Sequence, residues 1–158
     1  MSGLDTLDAL FVILALGIQI VLVAYFALRK WAFPATMRWG WIVYTLALPA
    51  LSLSVAQLMA GKVWYLWQSG VLYSIWAIFG AIVDRVLRIE WRSPIYLPVF
   101  VPYVLLYMGS LMFYWWPLGV VGGRPLWLIY TLLFVISTFL NLSSHRHPRQ
   151  PSRPSASS

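Results

Sequence analysis

Five long apolar runs, none of which contains a charged residue, dominate this sequence of 158 residues. Each run is long enough to cross the hydrocarbon core of a bilayer, which takes about 20 helical residues. Backbone groups in lipid must be hydrogen-bonded within the segment, so runs of this length are predicted to be helices rather than barrel strands. The predicted fold class is all-α, an integral membrane bundle of five transmembrane helices with short loops. The helices are expected at about residues 9–28, 41–60, 63–83, 95–116 and 126–144.

The composition favours the same class of protein. Charged residues make up 9% of the chain and hydrophobic residues 61%, whereas soluble domains carry about 25% charged residues. A water-soluble domain of this length could not bury so much apolar surface in one core. The sequence contains no cysteine, which excludes disulfides and thiolate chemistry.

The basic residues are unevenly distributed between the two sides of the predicted bundle. Nine of the eleven lie on one side: Arg29, Lys30, Arg38, Arg85, Arg88, Arg92, Arg146, Arg149 and Arg153. Lys62 and Arg124 lie on the other side, together with Asp5 and Asp8. The positive-inside rule therefore predicts the N-terminus outside and the C-terminus in the cytoplasm. Such a bias suits a multi-pass protein of a bacterial inner membrane, in contact with anionic lipid headgroups. No motif supports binding to nucleic acid.

The domain organisation is expected to be simple. Residues 1–144 form the transmembrane domain, and residues 145–158, rich in Pro, Ser and Arg, are predicted to be a disordered basic cytoplasmic tail. Pro49, Pro98 and Pro102 are expected to kink the second and fourth helices. Short links favour antiparallel packing of consecutive helices.

Two of the runs carry small and polar residues at steps of three and four, which places them on one face of each helix. The second run contributes Ala47, Ala50, Ser54, Gln57 and Gly61, and the third contributes Gly70, Ser74, Ala77, Ala81 and Asp84. Small residues let membrane helices approach closely, and polar side chains can hydrogen-bond across the gap. Asp84 is therefore expected to point toward another helix and away from lipid.

Three interpretations of Asp84 remain open. It can pair with Arg88 one turn later, or with a basic residue of the first cytoplasmic link. It can form a polar contact between helices that stabilises the bundle. It can also be a protonatable group at the mouth of a pathway, since ionisable residues in membrane proteins are often functional. Gln57, Asn141 and Arg88 complete this set of candidate polar or gating residues.

Aromatic residues follow one face of the fourth run. Tyr103 and Tyr107 fall near its middle, where a hydroxyl needs a partner. Trp76 is the one tryptophan near the middle of a run, whereas the other nine lie near the predicted membrane interfaces, as in an aromatic belt. Trp76, Tyr103 and Tyr107 are therefore candidates to line a pocket for a flat, largely apolar ligand. An aromatic packing face between helices explains the same pattern.

The sequence offers little reactive chemistry. No histidine lies within the apolar runs, so axial haem ligands and a serine–histidine pair are not expected. The spacing of its acidic residues and histidines predicts no metal site, and no glycine-rich phosphate loop is present. The sequence identifies no cofactor. Arg85, Arg88 and Arg92 form one basic face that can bind the phosphate of an anionic lipid headgroup.

Five predicted helices and ten tryptophans in 158 residues resemble the translocator protein family, also called tryptophan-rich sensory proteins. The segment YTLLFVISTFLNL, residues 130–142, is similar to the last helix of that family, which ends in an asparagine. The segment RKWAFPATMRW matches the Trp/Pro-rich first loop of the family loosely, and GVLYSIWAIFGAI lacks its Asn-Trp-Pro pattern. The resemblance implies a five-helix membrane fold that binds tetrapyrroles or sterols.

The function expected from these features is that of a non-enzymatic accessory or binding subunit. Its partners would be the bilayer and either other membrane proteins or further copies of itself. The alternative is a transporter or a binder of small hydrophobic ligands, with the Tyr103 and Tyr107 face as its pocket and Asp84 as its gate. A lipid-modifying enzyme that acts at the arginine face is the third possibility.

Overall fold

The structure, a computed structural model, describes residues 5–87 and 96–144, without the side chains of Phe33, Met37, Arg85 and Ser144. The described residues are almost entirely helical and contain no strand. The helices are α1 Thr6–Trp31, α2 Phe33–Trp39, α3 Trp41–Thr45, α4 Ala47–Met59, α5 Trp64–Ala81, α6 Leu97–Val121 and α7 Gly123–Ser144. A π-helical turn, Ile82–Val86, directly continues α5. The predicted tail, residues 145–158, lies outside the described residues.

Within residues 5–87 and 96–144, five helical spans are long and apolar enough to cross a membrane, which confirms the prediction of an all-α fold with five such helices. They are Thr6–Trp31, Pro34–Met59, Trp64–Asp84, Leu97–Val121 and Gly123–Ser143. The helices extend beyond the expected bounds in most places. The fourth span continues through Pro117, so its link to the fifth is shorter than the sequence suggested. Gly122 caps α6, and Gly123 has a φ of +74°, which a glycine adopts without steric cost.

The second span is interrupted twice, and a proline accounts for the second interruption. It consists of α2, α3 and α4, with breaks at Gly40 and Leu46. Pro49 has no N–H to donate to the carbonyl of Thr45, so the helix loses a hydrogen bond at the second break. Pro98, by contrast, lies in the first turn of α6, where a missing N–H costs little. The expectation that Pro98 kinks its helix was wrong.

A Schellman motif ends α4 and turns the chain into α5. The N–H of Gly61 donates to the carbonyl of Leu58 at 3.0 Å, and the N–H of Lys62 donates to the carbonyl of Gln57 at 2.9 Å. Gly61 adopts the left-handed conformation that this motif requires, with a φ of +66°. The turn places the Lys62 side chain next to the beginning of α1.

Consecutive spans pack as antiparallel neighbours, and α1 closes the bundle against α7. Between α5 and α6 the direction is visible in the ring contacts, since Trp64 meets Trp116 while Trp76 meets Tyr103 and Tyr107. Within the described residues, the largest side chains that are fully buried are aromatic: Trp76, Tyr73, Tyr114 and Tyr130. The core therefore combines aromatic rings from α5, α6 and α7 with aliphatic and aromatic side chains from α1.

Candidate functional site

The small-residue stripes of the second and third spans face one another. A Cβ atom at Gly70 would overlap the carbonyl oxygen of Ala50 and the Oγ of Ser54. The hydroxyl of Ser74 lies 3.1 Å from the carbonyl oxygen of Ala47 and donates across the same interface. The absence of a side chain at Gly70 thus permits a backbone approach that any larger residue would prevent.

Asp84 lies in the π-helical turn that follows α5 and contacts the second span. The hydroxyl of Tyr44 donates a hydrogen bond of 2.8 Å to Oδ2 of Asp84. Asp84 therefore points toward another helix, as its place in the stripe predicted. Tyr44 was not among the predicted site residues, although the stripe of the second span, continued back from Ala47 by three residues, reaches it.

Five aromatic residues, Tyr44, Tyr73, Trp76, Tyr103 and Tyr107, form a cluster that we call the aromatic centre. The ring of Trp76 lies between the others, with centroid distances of 5.3 Å to Tyr73 and 5.4 Å to Tyr107. The corresponding distances are 5.7 Å to Tyr103 and 6.3 Å to Tyr44. The structure thus brings the three predicted ligand-facing residues together, in contact with one another.

Gly80 allows the aromatic centre to pack this closely. A Cβ atom at this position would lie 2.9 Å from Cε1 of Tyr44 and 3.3 Å from Cε2 of Tyr103. Both rings therefore rest directly against the backbone of α5. Gly80 carries no distinguishing signal in the sequence, because its position becomes informative only once the partner rings are known.

A small cavity lies beside the aromatic centre, between the first four spans. Its walls include Leu22, Val43, Tyr44, Trp76 and Tyr103. The volume is about 10 Å³, which is close to the least that one water molecule requires. The rings of the aromatic centre thus fill the space around Trp76, and the cavity beside it is far smaller than a tetrapyrrole or a sterol.

The other predicted polar residues do not belong to the aromatic centre, and some of them lie outside the described residues. Gln57 is buried, and neither polar atom of its side chain has a hydrogen-bond partner among the described residues. It lies thirteen residues from Tyr44, a rise of about 20 Å along a helix, and so belongs to the opposite end of the span. Asn141 lies in the last turn of α7 and is partly buried. Arg88 and Arg92 lie outside the described residues, as does the side chain of Arg85.

The opposite end of the bundle carries an ion-pair cluster. Nζ of Lys62 lies 2.9 Å from Oδ2 of Asp5 and 2.9 Å from Oδ1 of Asp8. The hydrogen bond from Lys62 lowers the pKa of Asp5, and the two carboxylates raise the pKa of Lys62. The cluster joins the beginning of α1 to the link between α4 and α5. One lysine between two carboxylates suits a structural contact between these two segments.

Within residues 5–87 and 96–144, no three side chains of His, Asp or Glu lie close enough together to hold a metal ion. Comparisons with protein-family models, with curated proteins and with solved structures find no match. The resemblance to tryptophan-rich sensory proteins gains no support from them. The function must therefore be argued from the geometry of this chain.

Proposed function

We propose that the chain is an integral membrane protein whose N-terminus lies outside and whose C-terminus is cytoplasmic, in a membrane with anionic headgroups. The distribution of polarity supports insertion: Gln19, Gln57 and Ser110 are buried inside the bundle, while Ile13 and Leu105 are each 66% exposed on its surface. Such an arrangement is favourable in lipid, where buried polar groups bind between helices and apolar groups face the acyl chains. The excess of basic residues on one side supports the orientation.

The absence of cysteine from the sequence provides a clean test of this orientation. Val63→Cys lies in the link proposed to be outside, and Ser152→Cys in the tail proposed to be cytoplasmic. In intact cells a membrane-impermeant maleimide should label the first variant and not the second. Permeabilised cells, in which both should react, control for thiol reactivity. Labelling of Ser152→Cys alone in intact cells would reverse the orientation.

The proposal extends to function: the chain acts as a non-enzymatic accessory or binding subunit. One observation carries this extension. The residues predicted to line a ligand pocket, Trp76, Tyr103 and Tyr107, fill their own space by packing against one another. Because the cavity beside the aromatic centre has about the size of one water molecule, a partner would meet the outer surface of the bundle, which large apolar side chains cover.

Photo-crosslinking from single outward-facing positions tests the subunit proposal. Suitable positions, one on each span, are Ile13, Val55, Ile78, Leu105 and Leu132, which are all exposed. Leu111, which is fully buried, is the matched control. The chain is crosslinked in its native membrane, and products are identified by mass spectrometry. A partner subunit should crosslink in constant yield from one or two adjacent spans. Crosslinks to lipid alone from all five positions, or turnover of a substrate by the purified monomer, would overturn the proposal.

A transporter or small-ligand protein is the second candidate, and the Tyr44–Asp84 hydrogen bond favours it. An ionisable side chain that contacts an aromatic centre within a membrane span is a common feature of ligand or proton pathways. Asp84→Asn and Tyr107→Phe test this alternative separately, with Tyr65→Phe as a control outside the aromatic centre. Loss of uptake or of ligand affinity in the first two variants, with the fold retained, would favour transport. Unchanged activity in both would exclude the proposed pocket and gate.

A further inference from the structure

Lys30 lies in the last turn of α1, at the end of the bundle proposed to be cytoplasmic, and its side chain reaches another helix. Its Nζ lies 5.2 Å from the ring centroid of Trp31 and 5.9 Å from that of Phe139 on α7. A cation within about 6 Å of a ring centroid is attracted by the electrons of the ring face. The two rings therefore hold the ammonium group at the α1–α7 seam, the surface groove where these two helices meet.

The rings that contact Lys30 belong to the outer surface of the bundle. Trp31 is 71% exposed and Phe139 is 67% exposed, and Leu142, three residues beyond Phe139, is 62% exposed. In a chain inserted into a membrane, such side chains face the acyl chains of lipids. Because α1 ends at Trp31, the ammonium group lies near the level of the headgroups, where interfacial tryptophans are found.

The described residues provide no ion-pair partner for Lys30. The two ion pairs found among them join Lys62 to Asp5 and Asp8 at the opposite end of the bundle. Asp84 accepts a hydrogen bond within the aromatic centre. A charge beside apolar surface is stabilised when an opposite charge pairs with it. At the cytoplasmic surface of a membrane, the phosphates of anionic lipids supply that charge.

Two general effects explain a positive charge at this position but not the place of the ammonium group. The negative end of the α1 macrodipole and the positive-inside rule both favour a lysine in the last turn. A lysine that served these effects alone would extend toward water, as lysines near the ends of membrane helices do. Lys30 instead reaches across to the ring of Phe139.

We infer that the α1–α7 seam binds one anionic phospholipid of the cytoplasmic leaflet, whose phosphate pairs with Lys30 and whose acyl chain lies along Trp31 and Phe139. The inference rests on the membrane insertion proposed above and adds a defined lipid site to it. Arg29 places a second positive charge in the same turn of α1, which favours a lipid of net negative charge over a zwitterionic one. Basic sites between transmembrane helices on the cytoplasmic side bind the headgroups of anionic lipids in this way.

Native mass spectrometry of the full chain in detergent tests this inference, because it resolves the binding of single lipid molecules. The probes are a phosphatidylglycerol and a phosphatidylcholine with the same acyl chains, and the parent should bind the first more tightly. Lys30→Gln should weaken the binding of phosphatidylglycerol by about tenfold, as for the loss of a hydrogen bond between charged groups. Lys30→Arg keeps the charge and should retain most of the affinity.

Arg38→Gln is the matched control for the loss of one positive charge. Arg38 is exposed at the same end of the bundle, and its guanidinium lies 5.8 Å from the ring of Trp39, its own neighbour in the chain. Its removal should change the affinity by about twofold at most, as for an exposed charge pair. Equal losses of affinity in Lys30→Gln and Arg38→Gln would overturn the inference, as would equal binding of the two lipids by the parent.

Two further measurements locate the site and identify the source of the phosphate. Phe139→Leu removes a ring and keeps an apolar side chain, so it should weaken the binding of phosphatidylglycerol by about two- to fivefold. Glycerol phosphate, which has no acyl chains, should not displace the lipid. Unchanged affinity in Phe139→Leu, or displacement by glycerol phosphate, would overturn the inference. These results depend on neither the orientation of the chain nor a protein partner, which thiol labelling and photo-crosslinking test separately.

Discussion

The hydroxyl of Tyr44 donates a hydrogen bond of 2.8 Å to Oδ2 of Asp84, although forty residues separate them along the chain. The bond joins α3, the short helix between the two breaks of the second span, to the π-helical turn that ends the third. A π-turn places one extra residue in the helix and so changes the direction of the side chains that follow. Two local irregularities therefore meet in this contact.

Tyr44→Phe removes the hydroxyl and leaves the ring in place, so it should destabilise the bundle by about 1.5–3 kcal/mol, as for a hydrogen bond to a charged group. Unfolding in lipid–detergent mixtures, followed by circular dichroism, measures the change. Tyr65→Phe is the matched control, since Tyr65 donates none of the hydrogen bonds found among the described residues. This variant should unfold like the parent. Equal stability of Tyr44→Phe and the parent would show that the contact does not hold the two spans together.

Tyr73 and Tyr114 offer a second comparison, because both are almost fully buried and their rings lie 6.4 Å apart. The hydroxyl of Tyr73 donates to the carbonyl oxygen of Val43 at 2.8 Å, whereas that of Tyr114 has no partner among the described residues. Tyr73→Phe should cost about 1–2 kcal/mol, since it leaves a buried carbonyl without that donor. Tyr114→Phe should be neutral or stabilising. The same unfolding assay measures both, and the reverse order of stabilities would contradict the assignment.

Two glycines test the close approach of the second and third spans. Gly70→Ala would drive a methyl group into the backbone of α4 at Ala50, which cannot move without displacing the helix. The expected loss is about 1–3 kcal/mol or more, as for an overpacked core. Gly17→Ala is the control, because a Cβ at Gly17 has no atom within 4 Å. It should be neutral, or stabilise the helix by up to about 1 kcal/mol.

Thermal unfolding of both glycine variants in nanodiscs gives the comparison directly. A Gly70→Ala protein as stable as Gly17→Ala would mean that the two stripes are not in close contact.

The main framework of the fold could be predicted from the sequence because it depends on simple periodicities. Uncharged runs of about 20 residues indicate membrane-spanning helices, since each residue contributes independently to transfer into lipid. The helical repeat of small residues predicted that each stripe forms one helix face, and Gly70 on one stripe lies against Ala50 on the other. Asp84 pointed toward a neighbouring helix for the same reason.

The residues that form the site could not be predicted in the same way, because they lie where the regular helical repeat is interrupted or because their role depends on packing between helices. Tyr44 is separated from the regular part of its span by the break at Leu46, and Asp84 lies in a π-turn, so the helical repeat does not pair them. Gly80 is important only because the rings of Tyr44 and Tyr103 rest on it. Whether Trp76, Tyr103 and Tyr107 line a pocket or fill it depends on packing in three dimensions, which residue spacing along one helix does not determine.

The cluster of Lys62 with Asp5 and Asp8 leads to a prediction about pH and salt. The pKa of Asp5 is lowered below 3.8 by Lys62, so its stabilising effect is present at neutral pH and is lost as the pH falls through that lowered value. The pKa of Lys62 is raised above 10.5, so its effect is lost as the pH rises through that raised value. Between these limits Lys62→Gln should unfold at a lower temperature than the parent.

The difference between the parent and Lys62→Gln should shrink as the pH falls below 3.8 and through the lowered pKa of Asp5. It should also shrink in 1 M salt, because charges on exposed groups are then screened within about 3 Å. Arg124→Gln is the matched control: Arg124 is an exposed cation in the first turn of α7, and the two ion pairs found among the described residues both belong to Lys62. Thermal unfolding at pH 3, pH 7 and pH 7 with salt distinguishes the cases. A Lys62→Gln deficit that persisted unchanged both at pH 3 and in 1 M salt would assign the role of Lys62 to packing of its aliphatic stem instead of its charge.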